Sequence, residues 1–316
     1  MNGYMIADGR VKMSVFSGNR AVELNASAVT PELCTMLGSA AGTICAGGRI
    51  GLGYTGGSVG EAMKSAFSAG AQSTGAQVLD FGNVMESEAM FALSALGLGL
   101  TAYITGGPQC TIRFLGWGGT PADDETIRRI DEILASGSFL RCCWNEYRAP
   151  SDINGIKLLY LRELYSAAPA GLAPMCARPV CADKRGEQLF AETLQKLGCD
   201  ISKGNTYRLS EDGLSLSIED AVAGVIGPKR VFLLSCGAEF ERRNDVVVPY
   251  DAPNEVETLA KRYARKVYRS AAGDSAETIA RAQYRMRDGI LTAIRLMAFM
   301  RERNMSLEEM DMLFQG

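Results

Sequence analysis

The chain has 316 residues, 47% of them hydrophobic, a formal net charge of −3 and no histidine. Its length allows two or three domains, and its nearly balanced charge, without a basic run, argues against nucleic acid and anionic membrane surfaces as partners. The missing histidine excludes Ser-His-Asp and Cys-His catalysis and histidine-ligated metals, which leaves acid–base chemistry to carboxylates, lysine, tyrosine or cysteine.

The nine cysteines are interpreted as reduced and mostly buried. They contain no C-x-x-C pair, and several lie in apolar segments, where a free thiol behaves as a small hydrophobe. Their positions are Cys34, Cys45, Cys110, Cys142, Cys143, Cys176, Cys181, Cys199 and Cys236. Neither a signal-peptide pattern nor an apolar run of membrane-spanning length is found, so the sequence predicts a cytoplasmic protein.

The first 150 residues alternate between helix and strand signals. Thr30 is a predicted helix N-cap, with Pro31 at the first helical position. Residues 12–20 alternate like a strand. The helices predicted after them lie near 31–40, 58–71, 86–98 and 123–135, and the strands at 49–54, 77–81, 100–104 and 139–144. Short connections between alternating elements predict right-handed crossovers and a parallel or mixed sheet.

Residues 103–114 are predicted to form a loop at the carboxyl end of a strand. That edge of an open α/β sheet is where ligands and catalytic groups collect. Gly106, Gly107 and Pro108 prevent regular structure and let the backbone approach a ligand closely. A second glycine loop, 55–58, could offer backbone amides to an anion, although a simple strand-to-helix turn is the preferred interpretation.

The remainder of the chain predicts two further domains after a boundary near residues 148–152, giving domains at 1–150, 151–220 and 221–316. The second has predicted helices at 156–166 and 187–197, a strand at 179–182 and a hairpin-like pair of strands within 207–218. The third has predicted strands at 230–234 and 245–249 and helices at 254–264, 288–303 and 306–309, of which the helix at 288–303 is strongly amphipathic.

Six segments, in order along the chain, resemble motifs of the α-D-phosphohexomutases, the family of phosphoglucomutase, phosphomannomutase and phosphoglucosamine mutase. Residues 17–20 resemble S-G-I-R, 29–33 resemble L-T-P-E-L, 53–58 resemble G-x-D-T-R-x-S, 78–82 resemble V-x-D-L-G, and 288–291 with 305–309 resemble D-G-I-L and S-L-x-E-L. The resemblance implies consecutive α/β/α domains of the phosphohexomutase type with mixed sheets. It also implies that the second domain is shortened and that the fourth, phosphate-binding domain is absent.

The segment that corresponds to the family's phosphoserine loop departs from the family pattern. The family reads T-A-S-H-N-P and then N-G-I-K, whereas residues 105–108 read T-G-G-P and contain neither serine nor histidine. The resemblance places Arg113 where the family has its lysine, and it makes Arg113 and Arg20 the candidate substrate-binding cations, with ordinary surface charge as the alternative. Thr105 and Thr111 remain as hydroxyls that could accept the phosphoryl group, although a turn or strand role is the simpler interpretation. Cys110 is also a possible nucleophile, but no neighbouring cation in the sequence would lower its pKa.

The family's metal loop, D-G-D-x-D-R, would fall near residues 209–214. Glu211 and Asp212 are the carboxylates left there, without the arginine. Because Mg²⁺ is normally held by carboxylates together with substrate phosphate oxygens, this pair would form a poor site, and a solvated turn is the alternative. No cofactor is therefore expected, except Mg²⁺ if activity is retained. The family's sugar-reading loop, G-E-x-S-G-H, has no counterpart between residues 271 and 287.

These departures predict a phosphohexomutase-like protein that has lost mutase catalysis and acts as a binding or regulatory partner, associating with an active mutase or with itself. Two alternatives stay open. The chain could be an active, divergent phosphosugar mutase, an intramolecular phosphotransferase that uses Arg20, Arg113 and the Glu211–Asp212 pair. It could also be a sensor that binds a hexose phosphate without turning it over.

Overall fold

The computed structural model describes residues 16, 21–25, 30–107, 109–249, 252–270 and 287–315. The chain divides into two compact units, Met1–Ile156 and Lys157–Gly316, which are described separately. The predicted cation Arg20 and most of the predicted strand at 12–20 lie outside the described residues. No helix within the described part of the chain is both long and apolar enough to cross a membrane. The three-domain division stays a prediction.

The first unit is built on a mixed sheet. Its elements are β1 (Ala21–Asn25), α1 (Pro31–Ile44), β2 (Arg49–Thr55), α2 (Gly57–Gln72), β3 (Gln77–Asn83), α3 (Glu86–Leu96), β4 (Leu100–Thr105), β5 (Gln109–Gly116), β6 (Thr120–Pro121), α4 (Asp124–Ser136), β7 (Ser151–Asp152) and the first residue of α5 (Ile156–Ser166). The strand order is β1-β5-β4-β2-β3-β7, with β6 paired to β5. Strands β2, β3, β4 and β7 are parallel and β5 is antiparallel to its neighbours, so the predicted mixed sheet is confirmed.

Helices α1, α2 and α4 contribute to a single hydrophobic core with one face of this sheet. Strand residues such as Leu52, Ile104 and Ile112 are fully buried there. Two glycines let α1 and α2 approach closely, because a Cβ on Gly38 would lie 2.0 Å from the carbonyl oxygen of Phe67. A Cβ on Gly70 would likewise lie 1.9 Å from the carbonyl oxygen of Thr35. Each helix therefore receives a carbonyl of the other in a notch that only glycine provides.

Local signals in the first unit predicted its helix starts but not all of its strands. Thr30 accepts a hydrogen bond from the backbone N–H of Leu33 at 3.3 Å, so the predicted N-cap is confirmed. The predicted strand at 139–144 is wrong. That segment is irregular because its backbone bonds to helix ends: Leu140 N–H donates to Thr43 Oγ1 and Cys142 N–H to the carbonyl of Ser73.

The second unit contains a four-stranded sheet and a separate parallel pair. Its elements after α5 are β8 (Cys176–Cys181), α6 (Lys184–Lys196), β9 (Asp200–Leu209), β10 (Leu216–Asp220), β11 (Gly224–Ile226), α7 (Pro228–Glu241), β12 (Val246–Pro249), α8 (Glu255–Arg262), β13 (Val267–Ser270), α9 (Gly289–Arg303) and α10 (Leu307–Leu313). The sheet order is β11-β10-β9-β8, and β12 pairs with β13. Strands β9 and β10 are antiparallel, so the predicted hairpin-like pair is confirmed.

The predicted strand at 230–234 is wrong, since these residues lie inside helix α7. Gly227 is the N-cap of this helix, and Pro228 is its first residue, a position where proline is common. The buried residues Val231, Leu234 and Ala238 recur at helical spacing. A helix buried on most sides gives an almost continuous apolar run, which periodicity alone cannot separate from a buried strand.

Candidate functional site

Residues 103–114, predicted as a loop, form most of a β-hairpin. Strands β4 and β5 pair antiparallel, with Thr105 opposite Thr111 and Tyr103 opposite Arg113, and residues 106–110 connect them, of which Gln109 and Cys110 pair with β1 instead. The loop prediction is therefore wrong for residues 109–114. The alternation of buried Cys110 with half-buried Thr111, continued by the residues that follow, is the period-two signal that could have identified β5.

The turn of this hairpin lies directly on the first turn of α2. Gly106 N–H donates to the carbonyl oxygen of Thr55 at 2.8 Å. A Cβ on Gly56 would lie 1.9 Å from the carbonyl oxygen of Gly106, and a Cβ on Gly106 would lie 2.3 Å from the nitrogen of Gly60. The two glycine loops are thus packed backbone against backbone.

Helix α2 begins without a side-chain cap. Its N-cap, Gly56, has a left-handed conformation with φ of 88°, and its first turn carries no acidic residue. Gly57, Ser58 and Val59 are exposed. The first amides of a helix point along its axis at the positive end of its dipole, so this turn is chemically able to receive an anion.

The hairpin brings Thr105, Thr111 and Arg113 to one face of the sheet. Residues directly opposite each other, and residues two apart on one strand, share a face. Tyr103 lies on the same face and is buried, with its hydroxyl donating to the carbonyl of Val84 at 3.1 Å. Of the predicted site residues, the structure therefore places Thr105 beside Arg113, while Arg20 lies outside the described part of the chain.

Arg113 has a carboxylate partner that the sequence did not reveal. Its Nη1 lies 2.6 Å from Oε2 of Glu86, the first residue of α3, whose side chain is only 5% exposed compared with 37% for Arg113. The start of α3 stabilises a negative charge. The signal available in the sequence was the acidic pair Glu86 and Glu88 directly after a strand, where helix starts collect carboxylates.

Cys110, the one thiol in the hairpin, is in the hydrophobic core. Its burial raises its pKa above the ordinary value for a thiol, as burial also raises the pKa of the neighbouring core residue Cys34 to about 12. A nucleophilic cysteine requires the opposite shift. The structure thus gives Cys110 the role of a small core residue.

A second ion pair ties α2 to β3. Lys64 Nζ lies 2.6 Å from Asp80 Oδ2 and 5.2 Å from the ring centroid of Tyr54. Partial burial opposes the charged lysine, but the hydrogen bond and charge of Asp80 outweigh it and raise the pKa of Lys64 above its ordinary value. This lysine is therefore a protonated anchor for the helix and cannot act as a general base near neutral pH.

The predicted metal residues lie in the second unit, in the turn between β9 and β10. Asp212 Oδ1 accepts hydrogen bonds from Ser210 Oγ at 2.6 Å and from the backbone N–H of Leu214 at 3.0 Å, whereas Glu211 is exposed. Across the described residues, no group of three or more Cys, Asp or Glu side chains is arranged to hold a metal ion. The carboxylate of Glu211 is exposed and that of Asp212 is hydrogen-bonded within the turn, so the pair does not fit a Mg²⁺ site.

Comparison with known proteins identifies the first unit. Residues 17–141 match the family described as phosphoglucomutase/phosphomannomutase, alpha/beta/alpha domain I. Probable phosphoglucosamine mutases of Thermococcus kodakarensis and Thermococcus gammatolerans are each 32% identical over 122 residues, which cover 37% of this chain and 27% of theirs. The chain thus spans about a quarter of the length of the curated relatives it matches.

Solved structures extend the similarity in fold to most of the chain. A putative phosphomannomutase from Thermus thermophilus is 14% identical and superposes with a TM-score of 0.75. The matched region covers 96% of this chain and 83% of that protein. A phosphoglucomutase/phosphomannomutase family protein from Burkholderia thailandensis is 12% identical and superposes with a TM-score of 0.72. The matched region covers 90% of this chain and 76% of that protein. At these identities the likeness concerns the fold, and it agrees with the predicted mixed α/β architecture.

Proposed function

We propose that this chain, whose residues 17–141 match domain I of the phosphohexomutase family, binds a hexose phosphate in a binding or regulatory role without acting as a mutase. The observation that carries this proposal is the hairpin at residues 105–111. At the position that the resemblance assigns to the phosphoserine loop, Gly106 begins a connection that packs against Gly56 and Gly60 at the start of α2.

Transfer of a phosphoryl group by the family's route requires a hydroxyl that carries the phosphate between enzyme and sugar. The turn contains no serine, and Thr105 is held in the β-ladder opposite Thr111. A hydroxyl nucleophile also needs a neighbouring base or an electrostatic partner for the transferred charge. Arg113, on the same face of the sheet, is a cation already paired with Glu86.

The capacity to bind an anion has a separate basis. The exposed first turn of α2 offers backbone amides beside the hairpin, and its conformation is fixed by contacts that involve no side chain. Arg113, two residues beyond Thr111, supplies a separate guanidinium that can hold phosphate oxygens in pairs, on the opposite face of the sheet from Ile112 and the α2 core. Binding without turnover is therefore the activity that these groups support best.

The proposal is tested by measuring binding and turnover on the same full-length protein. In a thermal-shift assay, a hexose 6-phosphate at a hundred times its dissociation constant should add about 2.7 kcal/mol of stability, and the free hexose should add far less. Incubation with a hexose 1,6-bisphosphate and Mg²⁺ should leave peptide 99–116 without phosphate by mass spectrometry.

Two results would overturn this proposal. One is metal-dependent interconversion of hexose 1- and 6-phosphates that Arg113→Ala abolishes, which would favour the active, divergent mutase. The other is a failure of every hexose phosphate to shift the melting temperature. Thr105→Ala serves as the control for turnover, because phosphate carried by that residue would disappear in this variant alone.

A further inference from the structure

We infer that the β10–β11 hairpin of the second unit is a surface on which two copies of this chain associate, through antiparallel pairing of their β11 strands. The inference goes beyond the proposed function and does not depend on any ligand. It rests on an open sheet edge, two exposed valines and a segment without charged side chains.

Strand β11 lies at the edge of its sheet with its outer side open. It pairs antiparallel with β10, and no second strand among the described residues pairs with it. An open edge presents backbone N–H and C=O groups that the strand of another molecule can complete. Lysine, proline or an inward-facing charge within an edge strand usually discourages such pairing, and residues 224–226 contain none of these.

Apolar side chains are exposed at this edge and at the tip of the β10–β11 hairpin. Val225 is 75% exposed and Val222 is 73% exposed, whereas Ile226 is buried. Turns ordinarily carry glycine or polar residues, but the tip at residues 221–223 reads A-V-A. The turn itself is held by Asp220, whose Oδ1 accepts the backbone N–H groups of the last two tip residues, both at 2.7 Å. The exposed valines therefore contribute little to the turn and are available to a partner.

The charges around this hairpin are balanced within the chain. Glu219 Oε1 on β10 lies 2.9 Å from Arg208 Nη2 on β9. Lys229 Nζ lies 2.6 Å from Glu255 Oε1, and residues 221–228 contain no charged side chain. Such an edge has no excess charge with which to select an acidic or a basic partner. It is complementary to an identical edge, because an antiparallel strand can pair with its own copy about a two-fold axis, the commonest symmetry of soluble oligomers.

The small size of the surface sets the expected strength of association. Strand β11 has only three residues, so we expect the contact to bury less than the roughly 800 Å² per partner of a standard interface. The dimer should therefore be weak, with a dissociation constant of about 10 μM or higher. Val225 lies on the solvent face of the sheet and packs beside the same residue of the second copy.

The experiment is equilibrium sedimentation of the full chain from about 1 to about 500 μM, for wild type and two variants. Val225→Lys brings two like charges together at the two-fold axis and should weaken association at least about tenfold. Leu158→Lys is the matched control, because Leu158 in α5 is 71% exposed and receives the same apolar-to-lysine change away from the β10–β11 hairpin. It should leave association unchanged.

Amide hydrogen exchange of the wild type gives a second measurement, which does not depend on any variant. The amides of residues 224–226 should exchange more slowly at high than at low protein concentration, because strand pairing protects them.

Four results would overturn the inference. They are a wild type that stays monomeric over the whole range, a dimer that Val225→Lys leaves unchanged, equal weakening by Leu158→Lys, and exchange at residues 224–226 that does not vary with concentration. Equal weakening by the control would indicate general apolar association. Thermal melts establish that each variant is folded, and none of these results bears on the binding of a hexose phosphate.

Discussion

The two turns that the resemblance associates with phosphate and metal are fixed by opposite means. The connection that begins at Gly106 is held by contacts of glycine backbone on glycine backbone, with Gly106 against Gly56 and Gly60. The turn at residues 210–215 is held by side chains, because Ser210 and Asp212 bond to each other and to the local backbone. The first contact therefore joins backbone atoms of glycines, whereas the second turn uses the carboxylate of Asp212 internally.

The largest effect should come from filling the backbone contact of the first turn. Gly56→Ala places a methyl group 1.9 Å from a carbonyl oxygen at φ of 88°, and both overpacking and the left-handed conformation oppose it. We expect a loss of about 3 kcal/mol in the free energy of unfolding, measured by urea denaturation.

Gly57→Ala is the matched control for that substitution. Its φ is also positive, at 61°, but nothing lies within 4 Å of the added Cβ. It should lose only the conformational part, about 1 kcal/mol. Equal losses from the two variants would mean that the contact between the glycine loops does not matter.

A smaller effect should follow from removing the side chain that holds the second turn. Asp212→Ala breaks the bonds from Ser210 Oγ and Leu214 N–H and should lower the free energy of unfolding by about 1–2 kcal/mol. Exposed Glu211→Ala should change it by less than about 0.5 kcal/mol. If Mg²⁺ raised the melting temperature of the wild type but not of Asp212→Ala, the turn would be a metal site after all.

The smallest expected effect concerns one buried threonine in the core of each unit. Thr101 is fully buried beside Gly51, and its hydroxyl has no hydrogen-bond partner among the described residues. Thr101→Val should therefore raise the free energy of unfolding by about 1 kcal/mol. Thr193→Val should instead lower it by a similar amount, because the buried Thr193 hydroxyl donates to the carbonyl of Leu189 at 2.7 Å. Changes of the same sign would contradict both assignments.

Features set by neighbouring residues were predictable from the sequence. Ser306 and Glu309 form a capping box at the start of α10, and Asp288 caps α9 through Leu291 N–H, close to the predicted helix starts. Thr30 caps α1 for the same reason: a cap bonds to a backbone group only two or three residues away. Such signals fixed helix starts in both units.

Features set by distant residues were not predictable. Glu86 and Arg113 are 27 residues apart in sequence, and nothing in either segment indicates the other as its partner. The glycine contact between residues 56 and 106 depends on β2 and β4 being neighbours in the sheet, which is a property of the topology. Because two glycines and a proline lie within residues 105–108, the sequence pattern there indicated a loop, and strand β5, which follows directly, was not predicted.

The glycine notches between α1 and α2 have a consequence at the opposite end of α2. The carbonyl of Thr35 packs against Gly70, and the carbonyl of Phe67 packs against Gly38. Sliding or turning one helix against the other would therefore break these close contacts. Gly70 is thirteen residues, or about 20 Å, from the first residue of α2. The position of the exposed first turn of α2 against the hairpin is thus determined about 20 Å away along the helix, and substitutions at Gly38 or Gly70 would displace that turn without touching it.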